Sequence, residues 1–142
     1  MNDCAFCMIA QARIPAKTVY RGLHATAFLD IKPLAKGHVL IIPQRHAERI
    51  EDLSAEEMAN YMAMVPRIVR AVLEHTGAQG ATLAWNNGPA AGQEVPHVHL
   101  HVIPRYPEDK AGPIHAMFVD RPDPGGIDMD ELATRIRKSL GS

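Results

Sequence analysis

The sequence predicts an α+β domain: about five mostly antiparallel strands, one long helix and a C-terminal helix. Two observations carry that prediction. Apolar runs of strand length gather before the strongest helical pattern and again after it, so strands and helices are segregated rather than alternating. In addition, no glycine loop with a lysine and no dinucleotide fingerprint follows any of those runs. With 142 residues, the chain has the length of one domain, residues 1–142.

Residues 1–15 form an N-terminal arm in which Phe6, Ile9 and Ala10 share a helical face, with Pro15 as its stop. Val19–Arg21 and Ala25–Asp30 flank Gly22 and predict a β-hairpin. Pro33–Gly37 is a loop, and His38–Pro43 is a compact β-branched run suited to a buried strand. The long helix starts at Ser54, which forms a capping box with Glu57 while Leu53 and Met58 occupy the staple positions. Met58, Tyr61, Met62, Val65, Ile68, Val69, Val72 and Leu73 then recur at helical spacing up to Gly77. Pro66 lies inside this pattern and predicts a kink near Met62, whose carbonyl loses its partner. Ala81–Asn86 and His97–Ile103 are further strands joined by a glycine-bearing loop, Asn87–Gln93. Residues 105–126 hold four Pro and three Gly, too many for a regular element, and a loop of that length is functional or packs on a partner. Over residues 128–140, Asp128 and Glu131 cap a last helix with an apolar stripe of Leu132, Ile136 and Leu140 and basic residues Arg135, Arg137 and Lys138 toward its end.

Fifteen Lys and Arg against sixteen Asp and Glu leave a formal net charge of -1, which argues against nucleic acid or an anionic membrane as the main partner. No apolar run approaches the ~18 residues of a membrane span, and Met1-Asn2-Asp3-Cys4 does not read as a leader, so a soluble, cytoplasmic protein is expected. The anomaly is eight His beside two Cys, because histidine is rarely needed to fill a core.

Alternation along a strand directs His97, His99 and His101 to one face and Val98, Leu100 and Val102 to the other. One reading is three exposed histidines on an edge strand. Another is a single zinc held by all three, but the outer two α-carbons lie ~13 Å apart at strand rise, against zinc–nitrogen bonds of ~2.0–2.1 Å. That separation favours histidines with different tasks. Cys4 and Cys7 also admit more than one reading: a redox pair, two inert apolar cysteines, or half of a tetrahedral zinc site needing two further ligands.

His97-Val98-His99-Leu100-His101-Val102, preceded by Gly92-Gln93, resembles the signature of the histidine triad (HIT) family of nucleotide hydrolases and transferases. Further matches are Phe28-Leu29-Asp30-Ile31 with Pro33, Lys36-Gly37-His38, Ile42-Pro43 with His46, Asn86-Asn87-Gly88 and Ile103-Pro104-Arg105. The resemblance implies the HIT-like fold. It also implies hydrolysis at the α-phosphate of nucleoside phosphoramidates or dinucleoside polyphosphates, through a covalent nucleotidyl-histidine on His99. His101 and His38 take the positions that hydrogen-bond phosphate oxygens, Asp30 that of the residue holding the ribose hydroxyls, and Asn86 and Gln93 those of polar residues near sugar and phosphates. Branches with the N-terminal cysteine pair bind a structural zinc, which places Cys4, Cys7, His46 and His97 as ligands. A purine nucleotide substrate and a homodimer with a sheet continuing across the interface are likewise implied. One departure stands out: relatives commonly carry Ser or Thr where this chain has Glu94, and a carboxylate there repels a phosphate unless it points away or is protonated. Two alternatives from other classes are a non-catalytic nucleotide-binding or regulatory module and a zinc-dependent hydrolase with its metal at the triad. His24, His75 and His115 have no assigned role.

Overall fold

In the computed structural model, which describes residues 3–141, the chain divides into one compact unit ending at Ala111 and a second beginning at Gly112. The first two residues of the expected arm lie outside the described residues. Five strands form the first unit's sheet: β1 (Thr18–Arg21), β2 (Ala25–Leu29), β3 (Val39–Pro43), β4 (Gly80–Ala84) and β5 (Leu100–Arg105). Their order is β1-β2-β3-β5-β4 and every neighbouring pair is antiparallel, as the segregated pattern predicts.

The expected long helix is two helices, α2 (Ala55–Met62) and α3 (Val65–Thr76). Pro66 has no N–H for the Met62 carbonyl, and its fixed φ suits the first turn of a new helix, so the kink becomes a break. The capping box forms: Glu57 N–H donates to Ser54 Oγ at 3.0 Å and Ser54 N–H to Glu57 Oε1 at 2.9 Å. Tyr61, Val65 and Ile68 pack with Ala27, Ile41, Val98, Leu100 and Val102 into the main core. Tyr61 carries its hydroxyl into that core, where it donates to the Ile41 carbonyl at 2.6 Å and accepts from Trp85 Nε1 at 3.2 Å, leaving no orphaned polar group.

A second core joins Phe6, Ile9 and Ala10 to Phe28, Leu40 and Ile42. The arm's helix, α1 (Ala5–Ala10), ends before Pro15, because Gln11 closes it and Ala12 takes a positive φ of 57°. Six residues cannot hold a helix by themselves. Its terminal carbonyls are therefore tied to the sheet: Arg21 Nη1 donates to Ile9 O at 3.0 Å and Ala10 O at 2.7 Å, and Gln44 Nε2 to Ala10 O at 2.7 Å.

Strand register sets where chemistry gathers. Phe28 pairs with Leu40, Leu40 with His101 and His101 with Ala84, forming one row across four strands. Beyond the last β2–β3 pair, Leu29 with Val39, the Asp30 N–H still donates to the His38 carbonyl at 2.9 Å. Asp30 and His38 therefore stand side by side at the end of the ladder, His38 two residues along from Leu40 and beside His101. Gly37 precedes His38 with φ +89°, and a Cβ there would meet Thr76 Cγ2 at 2.5 Å, so only glycine makes this turn.

β5 begins at Leu100, three residues later than expected. His97 N–H donates to Val95 O at 2.8 Å and Val98 N–H to Ala47 O at 2.8 Å, so these residues bond to a local turn and another loop rather than to a ladder. The alternation nonetheless runs through: Val98, Leu100 and Val102 are all in the main core.

The second unit contains a 3-10 turn at Ile114–Phe118 and α4 (Met129–Ser139). Asp128 accepts from the Glu131 N–H at 3.0 Å, the expected cap, and the predicted stripe of Leu132, Ile136 and Leu140 is exposed. No helix of the described residues is long and apolar enough to cross a membrane.

Candidate active site and metal centre

Cys4, Cys7, His46 and His97 converge, with their four ligand atoms within 4.8 Å of one another. Cys4 Sγ lies 3.4 Å from His97 Nδ1, and Cys7 Sγ lies 3.3 Å from His46 Nδ1 and 3.5 Å from His97 Nδ1. A zinc tetrahedron with ordinary Zn–S and Zn–N bonds has a sulfur-to-nitrogen edge of ~3.6 Å, so the spacing fits the ion. Tautomer fits too. His97 Nε2 donates to the Pro43 carbonyl at 3.1 Å, which leaves the Nδ1 lone pair facing the sulfurs. Burial, with the neighbouring Cys4 sulfur, pushes the Cys7 thiol up to about 11, and burial pushes His97 down to about 4 against the opposing pull of the Pro43 carbonyl. A soft divalent cation reverses the first effect, since it binds the thiolate, and makes use of the second, since it binds neutral imidazole.

The zinc-type cluster is tied to the middle histidine. His99 Nδ1 lies 2.7 Å from the His97 carbonyl, and a carbonyl only accepts, so Nδ1 carries a proton and in the neutral tautomer the lone pair is on Nε2. The Phe6 ring, set between the two cysteines in sequence, stands edge-on to His99 with centroids 5.1 Å apart. The spacing of Phe6, Ile9 and Ala10 predicts a shared helical face but not this contact, which depends on where α1 docks.

The other two histidines form a directed chain. Leu34 N–H donates to His38 Nδ1 at 3.1 Å, which leaves the His38 proton on Nε2. That Nε2–H is 3.0 Å from His101 Nδ1, which must therefore accept, and the remaining His101 proton sits on Nε2. His101 Nε2 is buried and without a partner among the described residues, a prepared donor of the kind an anion satisfies. Burial holds His101 down at about 4, helped by His99 and His38, and lowers His38 against the opposing charge of Asp30. Both rings are therefore neutral near pH 7.

The same chain decides whether Asp30, His38 and His101, which lie within 4.8 Å of one another, form a metal centre. Because Leu34 N–H occupies Nδ1 of His38, its Nε2 carries a proton and offers no lone pair, so the residues do not fit a cation.

Acid stability follows from the His101 shift. Its folded value, about 4, is below an unfolded value of ~6.5, so the unfolded chain binds more protons between these limits and stability rises with pH there. Urea midpoints are expected to fall as pH is lowered from 6.5 toward 4, and to fall less steeply in His101→Asn. An equal slope in both proteins would contradict the assignment.

These groups border a cavity of about 640 Å³. Its lining includes Phe6, Ile9, Phe28 and Leu40 as an apolar wall, and Asp30, His38, His99 and His101 as polar groups. Asp30 Oδ1 accepts from the Lys32 N–H at 2.9 Å, and Oδ2 is 3.7 Å from His38 Nε2. Asn86 lines the cavity, whereas Gln93 is not among the residues that line it. Gln93 Oε1 accepts from the Gly88 N–H at 2.7 Å, while Nε2 donates to the carbonyls of Glu48 at 2.7 Å and Val95 at 3.0 Å. It clamps the loop that leads into His97, and its neighbour Glu94 faces the cavity instead.

Residues 11–108 match the HIT domain, a span that includes Asp30, His38, His46 and all three triad histidines. The chain belongs to the HIT domain family. An uncharacterized HIT-like protein of Methanocaldococcus jannaschii is 42% identical over 134 residues, covering 94% of this chain and 98% of the relative. The adenosine 5'-monophosphoramidase hnt1 of Schizosaccharomyces pombe is 38% identical over 107 residues, covering 75% of this chain and 77% of that protein. Among solved structures, a Zn-bound histidine triad family protein from Mycobacterium smegmatis superposes with a TM-score of 0.73 at 36% identity, over 99% of this chain and 94% of that one. As a HIT protein, this chain has the fold expected from its signature residues.

Proposed function

We propose that this HIT protein hydrolyses nucleoside phosphoramidates or dinucleoside polyphosphates at the α-phosphorus through a nucleotidyl intermediate on His99. The observation that carries the reading is a His99 ring whose Nδ1–H is committed to the His97 carbonyl, beside the unpartnered N–H of His101. The Nε2 lone pair attacks phosphorus, the bond to the amine or phosphate leaving group breaks, and the departing amine keeps the electron pair and takes a proton from solvent. Charge gathering on the phosphoryl oxygens meets the His101 N–H, held in place by His38 and ultimately by the Leu34 amide. Water then attacks the phosphorus of the adduct, releasing the nucleoside monophosphate and restoring His99. The apolar wall accepts a purine base, and Asp30 accepts from the ribose hydroxyls.

The cysteine–histidine cluster is taken as a structural zinc centre of Cys4, Cys7, His46 and His97. When bound, zinc supplies a cross-link that fixes α1, one wall of the cavity and the backbone carbonyl that orients His99. A relative described as Zn-bound supports this. A zinc at the triad itself is not favoured, because His97 turns its Nδ1 toward the two cysteines and His101 Nδ1 already accepts from His38.

A homodimer is part of the proposal. β4 is an edge strand of the sheet among the described residues, and Leu83 on it is 41% exposed, which suits continuation of the sheet across an interface. Analytical ultracentrifugation is expected to give twice the 15.6 kDa chain mass.

The direct test is turnover. Protein with a full complement of zinc is expected to convert adenosine 5'-phosphoramidate or diadenosine tetraphosphate to AMP or AMP plus ATP. Binding of nucleotide without release of either product would favour the non-catalytic module instead.

A further inference from the structure

Glu94 carries information about the leaving group. Among the residues that line the cavity, Asp30 and Glu94 are acidic, Lys32 is basic, and there is no arginine. His38 and His101 bring no charge, since burial holds both rings neutral near pH 7. Carboxylates thus outnumber ammonium and guanidinium groups along the lining, an unusual setting for a polyanion.

Glu94 is placed by its neighbours. Gln93 is clamped to Gly88, Glu48 and Val95 through both ends of its amide, and Val95 packs against the second core. The backbone on either side of Glu94 is thus fixed, while its exposed carboxylate makes no hydrogen bond or ion pair among the described residues. The cavity's apolar wall of Phe6, Ile9, Phe28 and Leu40 suits the base, and Asp30 stands at the polar end of that wall. What remains for the group displaced from phosphorus is the side built by Asn86, Gly92 and Glu94, the loop that runs directly into the triad.

We propose that Glu94 selects the leaving group: it favours an amine that carries a second, positively charged nitrogen and disfavours a polyphosphate. The proposal rests on the nucleotidyl-histidine reading above and narrows its substrate class. A cationic amine meets an unpaired carboxylate, whereas a polyphosphate meets like charge with no guanidinium to neutralise it.

The test uses the zinc-loaded protein and three adenosine compounds. Two are 5'-phosphoramidates of matched chain length, formed from n-butylamine and from 1,3-diaminopropane, so that a terminal methyl in one is an ammonium in the other. The third is diadenosine tetraphosphate. In the parent, kcat/KM is expected to favour the ammonium-tipped compound over the methyl-tipped one by about five-fold at low salt, the scale of one exposed charge pair. That preference shrinks as ionic strength rises. Glu94→Gln is expected to bring the ratio to about one, and Glu94→Lys to raise activity on diadenosine tetraphosphate. A ratio unchanged between parent and Glu94→Gln, or independent of salt, would overturn the proposal. Diadenosine tetraphosphate as the best parent substrate would do so as well. Failure of the parent to hydrolyse any of the three compounds would instead overturn the underlying reading, and the selection proposal with it, so the two failures are distinguishable.

Discussion

Replacing His99 by alanine is expected to lower kcat by roughly four orders of magnitude or more, the scale on which enzymes lose rate when a covalent nucleophile is removed. Among the described histidines that line the cavity, neither of the other two offers an equivalent lone pair: the Nδ1 of His101 accepts from His38, and the Nδ1 of His38 accepts from Leu34. His101→Ala removes a donor rather than the nucleophile, and one such donor corresponds to about 10²–10³ in kcat. The order of the two variants is therefore part of the prediction. His99→Ala is also expected to keep one zinc per chain, because the ligand ring of His97 is held by the Pro43 carbonyl and not by His99. Stopped-assay kinetics with metal analysis on the same samples checks both points. Equal losses in the two variants would contradict the separation of roles.

The second large effect is expected at the metal centre. Cys7→Ala should abolish zinc binding and destabilise the fold by about 4 kcal/mol or more, as loss of a structural metal does. The reason is local. α1 spans only Ala5–Ala10, too short to persist without anchors, yet it carries Phe6, Ile9 and Ala10 of the second core. Releasing it unpacks that core and exposes one wall of the cavity, so nucleotide affinity should fall along with stability. Chelation of the parent should reproduce the change, and added zinc should restore the chelated parent but not Cys7→Ala. A metal-free parent with full stability to urea would contradict the structural role.

Much of this was legible in the residues themselves. Four strand-length runs, the Ser54–Glu57 capping box and the Asp128 cap appear close to where their side chains predict, and the fifth strand starts three residues late, because each depends mainly on a residue's own propensity or on a partner a few positions away. The convergence of Cys4 and Cys7 with His46 and His97 was legible only through resemblance, since the cysteines stand some ninety residues from His97 and spacing cannot show that they meet. Other features depend on backbone groups that leave no trace in a side-chain pattern. The Leu34 amide fixes the tautomer of His38, and the His97 carbonyl fixes that of His99. Gln93 illustrates the converse: the resemblance sets it near sugar and phosphates, and no side-chain pattern shows that three loop backbone groups engage its amide while Glu94 lines the cavity. The break between α2 and α3 lies between these cases. Pro66 announced a disturbance near Met62, but whether the axis bends or restarts depends on how each half packs on the sheet.

The central claim is that His99 becomes covalently joined to a nucleotide during turnover. Intact-protein mass spectrometry after rapid acid-free quenching of zinc-loaded protein with an adenosine 5'-phosphoramidate tests it most directly. An adduct with the mass of an adenylyl group, mapped by peptide fragmentation to His99 and absent from His99→Ala, is the expected result; an adduct on a different residue, or turnover that survives His99→Ala, would contradict the account.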